Sequence, residues 1–360
     1  MENLWVAGDH EKFMGTVDRS KDMVNNILSR MQKQSTWERN VRMKEIIFLK
    51  PVFKTMIWGG TKLATEFGYE IPGDHTGECW AISAHKNGDC EIKDGEFQGR
   101  TLSWLWENHR ELFGNVKGEV YPLLIKIIDA RTDLSIQVHP DDDYAREHEA
   151  GALGKTECWY VLDCDEDGEI VIGHNAGDKE QLARMIREKQ WKDLLRVRPV
   201  KKGDFFQIEP GTVHAIKKGT MILETQQNSD ITYRLYDYDR LDQGKPRELH
   251  IDKSIDVIRC PHEDIRPEGE IVRTAFGEDR ELIACAYYGV RHLLLHGEME
   301  WKQDKPFLNV SVINGSGEID NRAIAKGDHF IIPYGYGSFR MKGELELVLS
   351  HVGEEQQEME

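Results

Sequence analysis

The stretch Leu134–His139, which reads Leu-Ser-Ile-Gln-Val-His, decides the fold. Polar and β-branched residues alternate along it, and a period of two is typical of a β-strand. Ser135, Gln137 and His139 therefore point to one face of the strand, and the isoleucine and valine between them point to the other. One face is apolar, and the opposite face carries side chains that can bind a ligand.

Two later stretches carry side chains that could complete a metal site with this strand. They are Gly154–Glu157, which reads Gly-Lys-Thr-Glu, and Pro210–His214, which reads Pro-Gly-Thr-Val-His. A glutamine oxygen, a carboxylate and two imidazoles suit a divalent transition metal, and zinc is the default where imidazole and carboxylate mix. The predicted ligands are Gln137, His139, Glu157 and His214.

The remainder of the chain predicts many short strands and a few helices. The apolar run Tyr121–Ile128 is typical of a buried strand, and Lys126 is its one interruption. Helical spacing of apolar residues predicts one helix over Thr101–Phe113 and a second that Asp178 caps and that ends before Pro199. Neither helix carries a catalytic prediction.

Five stretches match the motifs of one known family. They are 57–60 (Ile-Trp-Gly-Gly), 135–141 (Ser-Ile-Gln-Val-His-Pro-Asp), 154–162 (Gly-Lys-Thr-Glu-Cys-Trp-Tyr-Val-Leu), 210–216 (Pro-Gly-Thr-Val-His-Ala-Ile) and 230–240 (Asp-Ile-Thr-Tyr-Arg-Leu-Tyr-Asp-Tyr-Asp-Arg). Together they resemble type I mannose-6-phosphate isomerase, a family of zinc cupins. The resemblance runs from about Met43 to the C-terminus and leaves residues 1–42 uncovered.

The resemblance and the strand-rich pattern imply an all-β fold, a cupin jelly roll or double-stranded β-helix, with a second, metal-free β-barrel domain. We predict a catalytic cupin domain over residues 43–250 and a degenerate cupin-like β domain over 251–360. Residues 1–42 form an N-terminal extension that fits one short amphipathic helix. We expect this extension to be dispensable, or to follow from a mis-assigned start codon.

A repeated motif supports the second barrel. The residues Gly327–Pro333, Gly-Asp-His-Phe-Ile-Ile-Pro, echo Gly203–Pro210, Gly-Asp-Phe-Phe-Gln-Ile-Glu-Pro. When the two prolines are aligned, the position of His214 falls on Gly337. The second copy is therefore expected to bind no metal.

The resemblance also implies the reaction, which is interconversion of mannose 6-phosphate and fructose 6-phosphate through a cis-enediol. Such a reaction needs a Lewis acid for the enediolate oxygens, a base that moves a proton between carbons, and cations that hold the phosphate. One zinc ion per chain would meet the first need. Lys155 and Arg234 are the predicted catalytic residues, and Ser135, Lys126, Lys155 and Arg234 are predicted to contact the sugar phosphate. Which group moves the proton stays open at this stage.

Two other functions compete with this one. A non-catalytic cupin could use the same metal site to bind sugars or sugar phosphates, but every position that matches the family's site is present together. An iron-dependent cupin oxygenase needs two histidines and a carboxylate with open positions, whereas Gln137 fills one position here. Lys155 and Arg234 also suit a phosphate better than an oxygenase substrate.

The amino-acid composition limits the kinds of partner that the protein is expected to bind. The 360-residue chain has 47 basic and 64 acidic residues, a net charge of −17, which argues against binding to nucleic acid or to an anionic membrane. A phosphate on a small substrate is held by a few local cations, so the total charge does not exclude it. The six cysteines form no C-x-x-C pair, and the N-terminus has no signal-peptide pattern, so we expect a cytoplasmic protein with free thiols. We expect a monomer or a small homo-oligomer.

Overall fold

The computed structural model describes residues 45–265 and 269–353. The helix predicted within residues 1–42 lies outside the described residues. From Ile46 onward the chain forms one compact unit. β-Strands make up most of its regular structure, which confirms the predicted fold class.

Two antiparallel sheets build the predicted cupin barrel. The six-stranded sheet has the spatial order β12-β9-β14-β7-β3-β2, and its strands are β2 (Val52–Gly60), β3 (Thr76–Ile82), β7 (Leu123–Asp129), β9 (Glu157–Asp163), β12 (Phe205–Ile208) and β14 (Met221–Gln227). The five-stranded sheet has the order β11-β10-β13-β8-β15, and its strands are β8 (Ile136–Val138), β10 (Glu169–His174), β11 (Leu195–Pro199), β13 (His214–Ile216) and β15 (Tyr233–Tyr236). Two small hairpins stand apart, β4 (Ala84–His85) with β5 (Gly88–Asp89), and β16 (Leu241–Asp242) with β17 (Lys245–Pro246).

The two faces of the five-stranded sheet pack against different partners. Ile170, Ile172 and Ile216 meet Trp159 and Ile222 of the opposite sheet in one apolar cluster, which fills part of the barrel interior.

The other face of that sheet carries Ile136 and Val138, which pack with residues of the flanking helices such as Leu182 and Ile186. The apolar face of Leu134–His139 therefore points away from the barrel interior, toward the helices. Its polar face points into the barrel, as the alternation predicts.

The helices are short. They are α1 (Lys62–Thr65), α2 (Leu102–Asn108), α3 (Asp142–His148), α4 (Lys179–Arg187), α5 (Trp191–Leu194) and α6 (Ile251–Val257), with a 3₁₀ turn at Arg110–Phe113. The helix predicted over Thr101–Phe113 is shorter than expected and ends at Asn108, before the 3₁₀ turn. The single helix predicted from Asp178 to just before Pro199 is wrong in extent, because two short helices, the second of which ends at Leu194, take its place and residues 195–199 pair as strand β11. The Asp178 side chain accepts a hydrogen bond from Gln181 N at 2.7 Å and so caps α4 as expected. Within the described ranges, no helix is long and apolar enough to cross a membrane.

The C-terminal region, together with two short strands from the N-terminal part of the chain, forms one nine-stranded sheet with its own apolar core. Its order is β18-β19-β20-β24-β21-β23-β1-β6, with β22 paired to β21, and its strands are β1 (Ile47–Lys50), β6 (Glu91–Ile92), β18 (Ile271–Thr274), β19 (Gly277–Ala284), β20 (Tyr288–Gln303), β21 (Leu308–Ile319), β22 (Arg322–Ala325), β23 (His329–Ile332) and β24 (Gly337–Val352).

The strand that opens the predicted catalytic domain belongs to this C-terminal sheet. In β1, Ile47 pairs with Ile331 and Phe48 with Phe330 of β23. The apolar side of β1 points into the C-terminal core, where Phe48 stacks on Phe330 with ring centroids 4.7 Å apart. The domain boundary near residue 250 stays a prediction, and the first strand ties the two regions together.

The repeated Gly-Asp motif takes the same local structure in both copies. Gly203 and Gly327 both have positive φ angles, 86° and 93°, which favour glycine. Counted from these glycines, Ile208 corresponds to Ile332. Ile208 pairs with Glu157, and Ile332 pairs with Leu308. The absence of a metal from the second copy remains a prediction.

Candidate metal centre

Three neighbouring strands place His214, Gln137 and Arg234 in one row. In the order β13-β8-β15, Gln137 pairs with His214 on one side and with Arg234 on the other. Directly paired residues of antiparallel strands lie on the same face of the sheet, so all three share the barrel side of the sheet. The sheet register therefore connects the predicted metal ligands to the predicted catalytic arginine.

Glu157 reaches the same point from the opposite sheet and completes a three-residue cluster. The ligand atoms of His139, Glu157 and His214 all lie within 4.8 Å of one another, and all three residues are buried. The two Nε2 atoms are 3.1 Å apart, and Glu157 Oε1 lies 3.3 Å from His214 Nε2 and Oε2 3.5 Å from His139 Nε2. Of the described residues, this is the one cluster of His, Cys, Asp and Glu that could hold a metal ion.

Backbone carbonyls fix both imidazoles with Nε2 turned toward the centre. His139 Nδ1 lies 2.7 Å from the Ile231 carbonyl oxygen, and His214 Nδ1 lies 2.8 Å from that of Thr212. A carbonyl can only accept, so each Nδ1 carries the proton and each neutral ring keeps a lone pair on Nε2.

Burial keeps both rings neutral. It lowers the pKa of His214 to about 4 and holds that of His139 well below its usual value, with Lys155 and the other imidazole lowering the His139 pKa further. Two lone pairs that face each other at 3.1 Å beside a carboxylate have no proton to share, and they fit a divalent cation. Neither Glu157 oxygen has a hydrogen bond of good geometry, which supports the same fit.

Gln137 stands at the edge of this cluster. Its Nε2 lies 3.3 Å from His214 Nε2, while its Oε1 accepts a 3.3 Å hydrogen bond from Ser135 Oγ. A half-turn of the amide exchanges the oxygen and the nitrogen and would direct the oxygen toward the histidine ligands. Ser135 thus acts on Gln137 directly, a contact that the sequence did not predict.

A row of alternating charges continues from Glu157 into the barrel. Lys155 Nζ lies 2.5 Å from Glu157 Oε2, 3.2 Å from His139 Nε2 and 3.7 Å from Glu224 Oε1. Lys126 Nζ lies 3.5 Å from Glu224 Oε2. All of these side chains are buried, so the lysine flagged as an exception in an apolar strand faces the candidate site.

Glu224 was missed in the sequence, although it joins the two lysines. It lies on β14 between Ile222 and Gln226 on the barrel side, and register pairs it with Lys126. Glu224 directly follows the apolar residues Met221–Leu223. A lone charged residue beside apolar neighbours in a strand is the same signal that singled out Lys126. Applied to both strands, that signal could have found the pair.

The pKa values of Glu157 and Glu224 shift in opposite directions in this row of charges. Burial raises the pKa of Glu157 above its usual value, and Glu224 adds to the rise while Lys155 opposes it. Burial also acts to raise the pKa of Glu224, but the ammonium groups of Lys155 and Lys126 outweigh it and hold that pKa below its usual value. Glu224 therefore carries the negative charge between the two lysines, and Lys155 is shared between Glu224 and Glu157.

Arg234 differs from the nearby arginines in having no ion pair among the described residues. Its Nε atom is buried without a hydrogen-bond acceptor, and burial followed by the charge of Arg247 lowers its pKa. Arg247 and Arg240 instead bind the buried carboxylate of Asp237, at 2.6 Å and 2.5 Å. Arg240 and Arg247 are therefore structural arginines, whereas Arg234 has no ion-pair partner in the described part of the chain.

Comparison with known proteins gives this geometry a family. Residues 46–175 match the model "Phosphomannose isomerase type I, catalytic domain", and residues 278–352 match "Mannose-6-phosphate isomerase, cupin domain". The chain is 54% identical over 316 residues to mannose-6-phosphate isomerase ManA of Bacillus subtilis, which covers 86% of this chain and 99% of that protein. The chain belongs to the type I phosphomannose isomerase family.

Further relatives agree with this chain in sequence or in fold. Mannose-6-phosphate isomerase of Streptococcus mutans is 48% identical, across 87% of this chain and 100% of that one. The crystal structure of mannose 6-phosphate isomerase from Bacillus subtilis superposes with a TM-score of 0.84 at 48% identity, over 85% of this chain and 99% of that chain. A phosphomannose isomerase variant from Salmonella typhimurium, at 16% identity and a TM-score of 0.67, covers 86% of this chain and 100% of that chain and shows the shared fold. The resemblance found in the sequence is confirmed.

Proposed function

We propose that the protein is a zinc-dependent mannose-6-phosphate isomerase, which interconverts mannose 6-phosphate and fructose 6-phosphate. One observation carries the proposal. Two neutral imidazoles and a buried carboxylate converge within 4.8 Å, and Lys155 and Lys126 adjoin them from the same barrel interior. A site with this charge pattern suits a small anion that must meet a metal and several cations at once.

The residues present fit zinc and its expected ligands. We assign His139, Glu157 and His214 as ligands, with Gln137 as a fourth through its amide oxygen, and one ion per chain. Mixed imidazole and oxygen donors, with each ring oriented by a carbonyl, are typical of zinc sites. When bound, the metal would act as a Lewis acid toward the oxygens on C1 and C2 of the sugar.

The protein's own side chains bind and orient the substrate in this proposal. Lys155 lies closest to the ligands, 3.2 Å from His139 Nε2, so we assign it to the reacting end of the sugar, where an ammonium proton can be held against a developing oxyanion. Arg234 lies beside Gln137 in the sheet and makes no ion pair with any residue in 45–265 or 269–353, so its planar guanidinium can bind a phosphate or an enediolate at two points. Lys126 and Ser135 are the other polar side chains that we assign to substrate binding.

The direct test is turnover of mannose 6-phosphate in an assay coupled to fructose 6-phosphate. We expect activity that a strong chelator abolishes and that zinc restores, with about one metal ion per chain by elemental analysis. Binding of mannose 6-phosphate without any turnover by the metal-loaded protein would instead support a non-catalytic sugar-phosphate cupin. Turnover that survives complete metal removal would overturn the metal-dependent mechanism.

A further inference from the structure

The segment that carries Lys155 begins before the strand that holds Glu157. β9 starts at Glu157, so Gly154, Lys155 and Thr156 precede the paired part of that strand. Lys155 N donates to the Pro140 carbonyl at 3.0 Å, which leaves the amides on either side to be held by other groups. The position of the Lys155 ammonium depends on those groups, because its side chain is anchored by this short segment.

A single carboxylate and a single amide side chain hold those two flanking N–H groups. Asp142 Oδ1 accepts from Gly154 N at 2.7 Å, and Gln227 Oε1 accepts from Thr156 N at 2.8 Å. Gln227 Nε2 in turn donates to Asp142 Oδ1 at 3.1 Å, which links the two acceptors into one unit. Gln227 is buried, so these hydrogen bonds have little competition from water.

Close packing leaves this segment little room to move toward helix α3. A Cβ atom added to Gly154 would lie 2.4 Å from the Asp141 carbonyl carbon and 2.5 Å from Asp142 N. The backbone of the lysine segment therefore rests directly on the first turn of α3, where Asp142 lies. A shift of Asp142 would be transmitted to Gly154 by both contact and hydrogen bond.

Tyr287 connects this unit to the C-terminal sheet. Its hydroxyl donates to Asp142 Oδ2 at 2.7 Å, on the oxygen that Gly154 does not use. Tyr287 lies in the turn between β19 and β20, the second and third strands of the nine-stranded sheet. A residue of the region that carries no predicted ligand thus touches the group that fixes the lysine segment.

We propose that Asp142 is a positioning residue for Lys155, and that Tyr287 uses the C-terminal sheet to fix Asp142. The inference rests on the proposed isomerase function, since it assigns the effect to the reacting end of that substrate. Asp142 and Tyr287 act through Lys155 and have no contact with the sugar. Their loss should lower kcat more than it raises KM, because Lys126 and the other side chains assigned to the phosphate are left unchanged.

The test compares Tyr287→Phe with a matched control, Tyr336→Phe. Tyr336 also donates one 2.7 Å hydrogen bond to an aspartate, Asp320, but lies between β23 and β24 and packs against the C-terminal core. We expect Tyr287→Phe to lower kcat about 3- to 10-fold and Asp142→Asn about 10-fold or more, because small displacements of a catalytic group cost large factors in rate. Zinc content, KM and melting temperature should stay near the wild-type values, and the Tyr336→Phe enzyme should match the wild type in kcat.

Amide hydrogen exchange of the peptide over residues 152–157 gives a readout that does not depend on activity. Tyr287→Phe should speed exchange at Gly154 and Thr156, and Tyr336→Phe should leave it unchanged. A Tyr287→Phe enzyme with wild-type kcat, or one whose loss of kcat comes with equal loss of zinc and melting temperature, would overturn the positioning role. If wild type fails to isomerise mannose 6-phosphate at all, the proposed function fails, and the exchange data still decide whether Tyr287 holds the lysine segment.

Discussion

Replacement of Arg234 by alanine should separate catalysis from folding. The guanidinium has no ion pair among the described residues, and its Nε is buried without an acceptor, so its removal leaves no carboxylate uncompensated. The free energy of unfolding should therefore change by less than about 1 kcal/mol, because the lost packing of the side-chain stem is offset by relief of a buried charge. The melting temperature and the zinc content should stay at wild-type values.

Turnover should respond much more strongly than stability. A buried donor aimed at charge that develops in the transition state is worth about 10²-fold or more in kcat, or about 2.7 kcal/mol. If Arg234 only held the phosphate, the loss would appear mainly in KM. Arg234→Lys should restore little, because a point charge cannot make the planar two-point contact of a guanidinium.

Arg240→Ala is the control with the opposite expectation. Arg240 lies 2.5 Å from Asp237 Oδ1, and Asp237 is only 4% exposed, so this pair contributes to folding. Its loss should cost about 1–2 kcal/mol of stability, since Arg247 still compensates the carboxylate, and kcat/KM should be unchanged.

The assay is steady-state kinetics on mannose 6-phosphate for the wild type and the three variants, with a thermal melt and elemental analysis of each preparation. Near-wild-type kcat/KM in Arg234→Ala would refute the reasoning and remove Arg234 from the site. A large loss of melting temperature in that variant would show instead that the guanidinium has a structural partner.

We expect three further outcomes. His214→Ala should remove most of the bound metal, because affinity needs all donors together, and full occupancy by elemental analysis would contradict the assigned site. A chain that starts at Met43 should keep its activity and its melting temperature, and a drop of more than a few degrees would show that residues 1–42 stabilise the fold. His329→Gln should flatten the pH dependence of stability. Burial lowers the His329 pKa from 6.5 to about 4. The stability that the neutral ring contributes is therefore fully present above pH 6.5 and is lost as the pH falls toward 4, and the free energy of unfolding falls by about 3 kcal/mol in all. Equal slopes of unfolding free energy against pH in wild type and variant would exclude this role.

Local sequence patterns predicted the parts of the candidate site whose residues lie on a single strand. The alternation around Gln137 and His139 identified the polar face correctly, and the lone charge in Tyr121–Ile128 identified Lys126 as unusual. Both signals are set by neighbours within a few residues, which a single sequence displays. The motif resemblance then brought together Glu157 and His214, which lie far apart in the chain.

Contacts between distant segments could not be read in the same way. The pairing of Glu224 with Lys126 depends on the register of β14 against β7, and the hydrogen bond from Tyr287 to Asp142 joins the turn between β19 and β20 to the first turn of helix α3. Nothing in the local spacing of Asp142 distinguishes it from the two aspartates beside it. Register and packing decide these partners, and both are properties of the whole fold.

The pairing of β1 with β23 has a consequence for synthesis of the protein. β1 is apolar and lies near the start of the described chain, whereas its partner lies close to the C-terminus. During translation the ribosome must add almost the entire chain before β23 can pair with this strand, so Ile47 and Phe48 lack their partner strand while the intervening cupin barrel can already fold. In a nascent chain that stalls before β23, β1 has only the short strand β6 as a partner. Its other edge stays open, and such ribosome-bound intermediates should depend on chaperones to avoid aggregation.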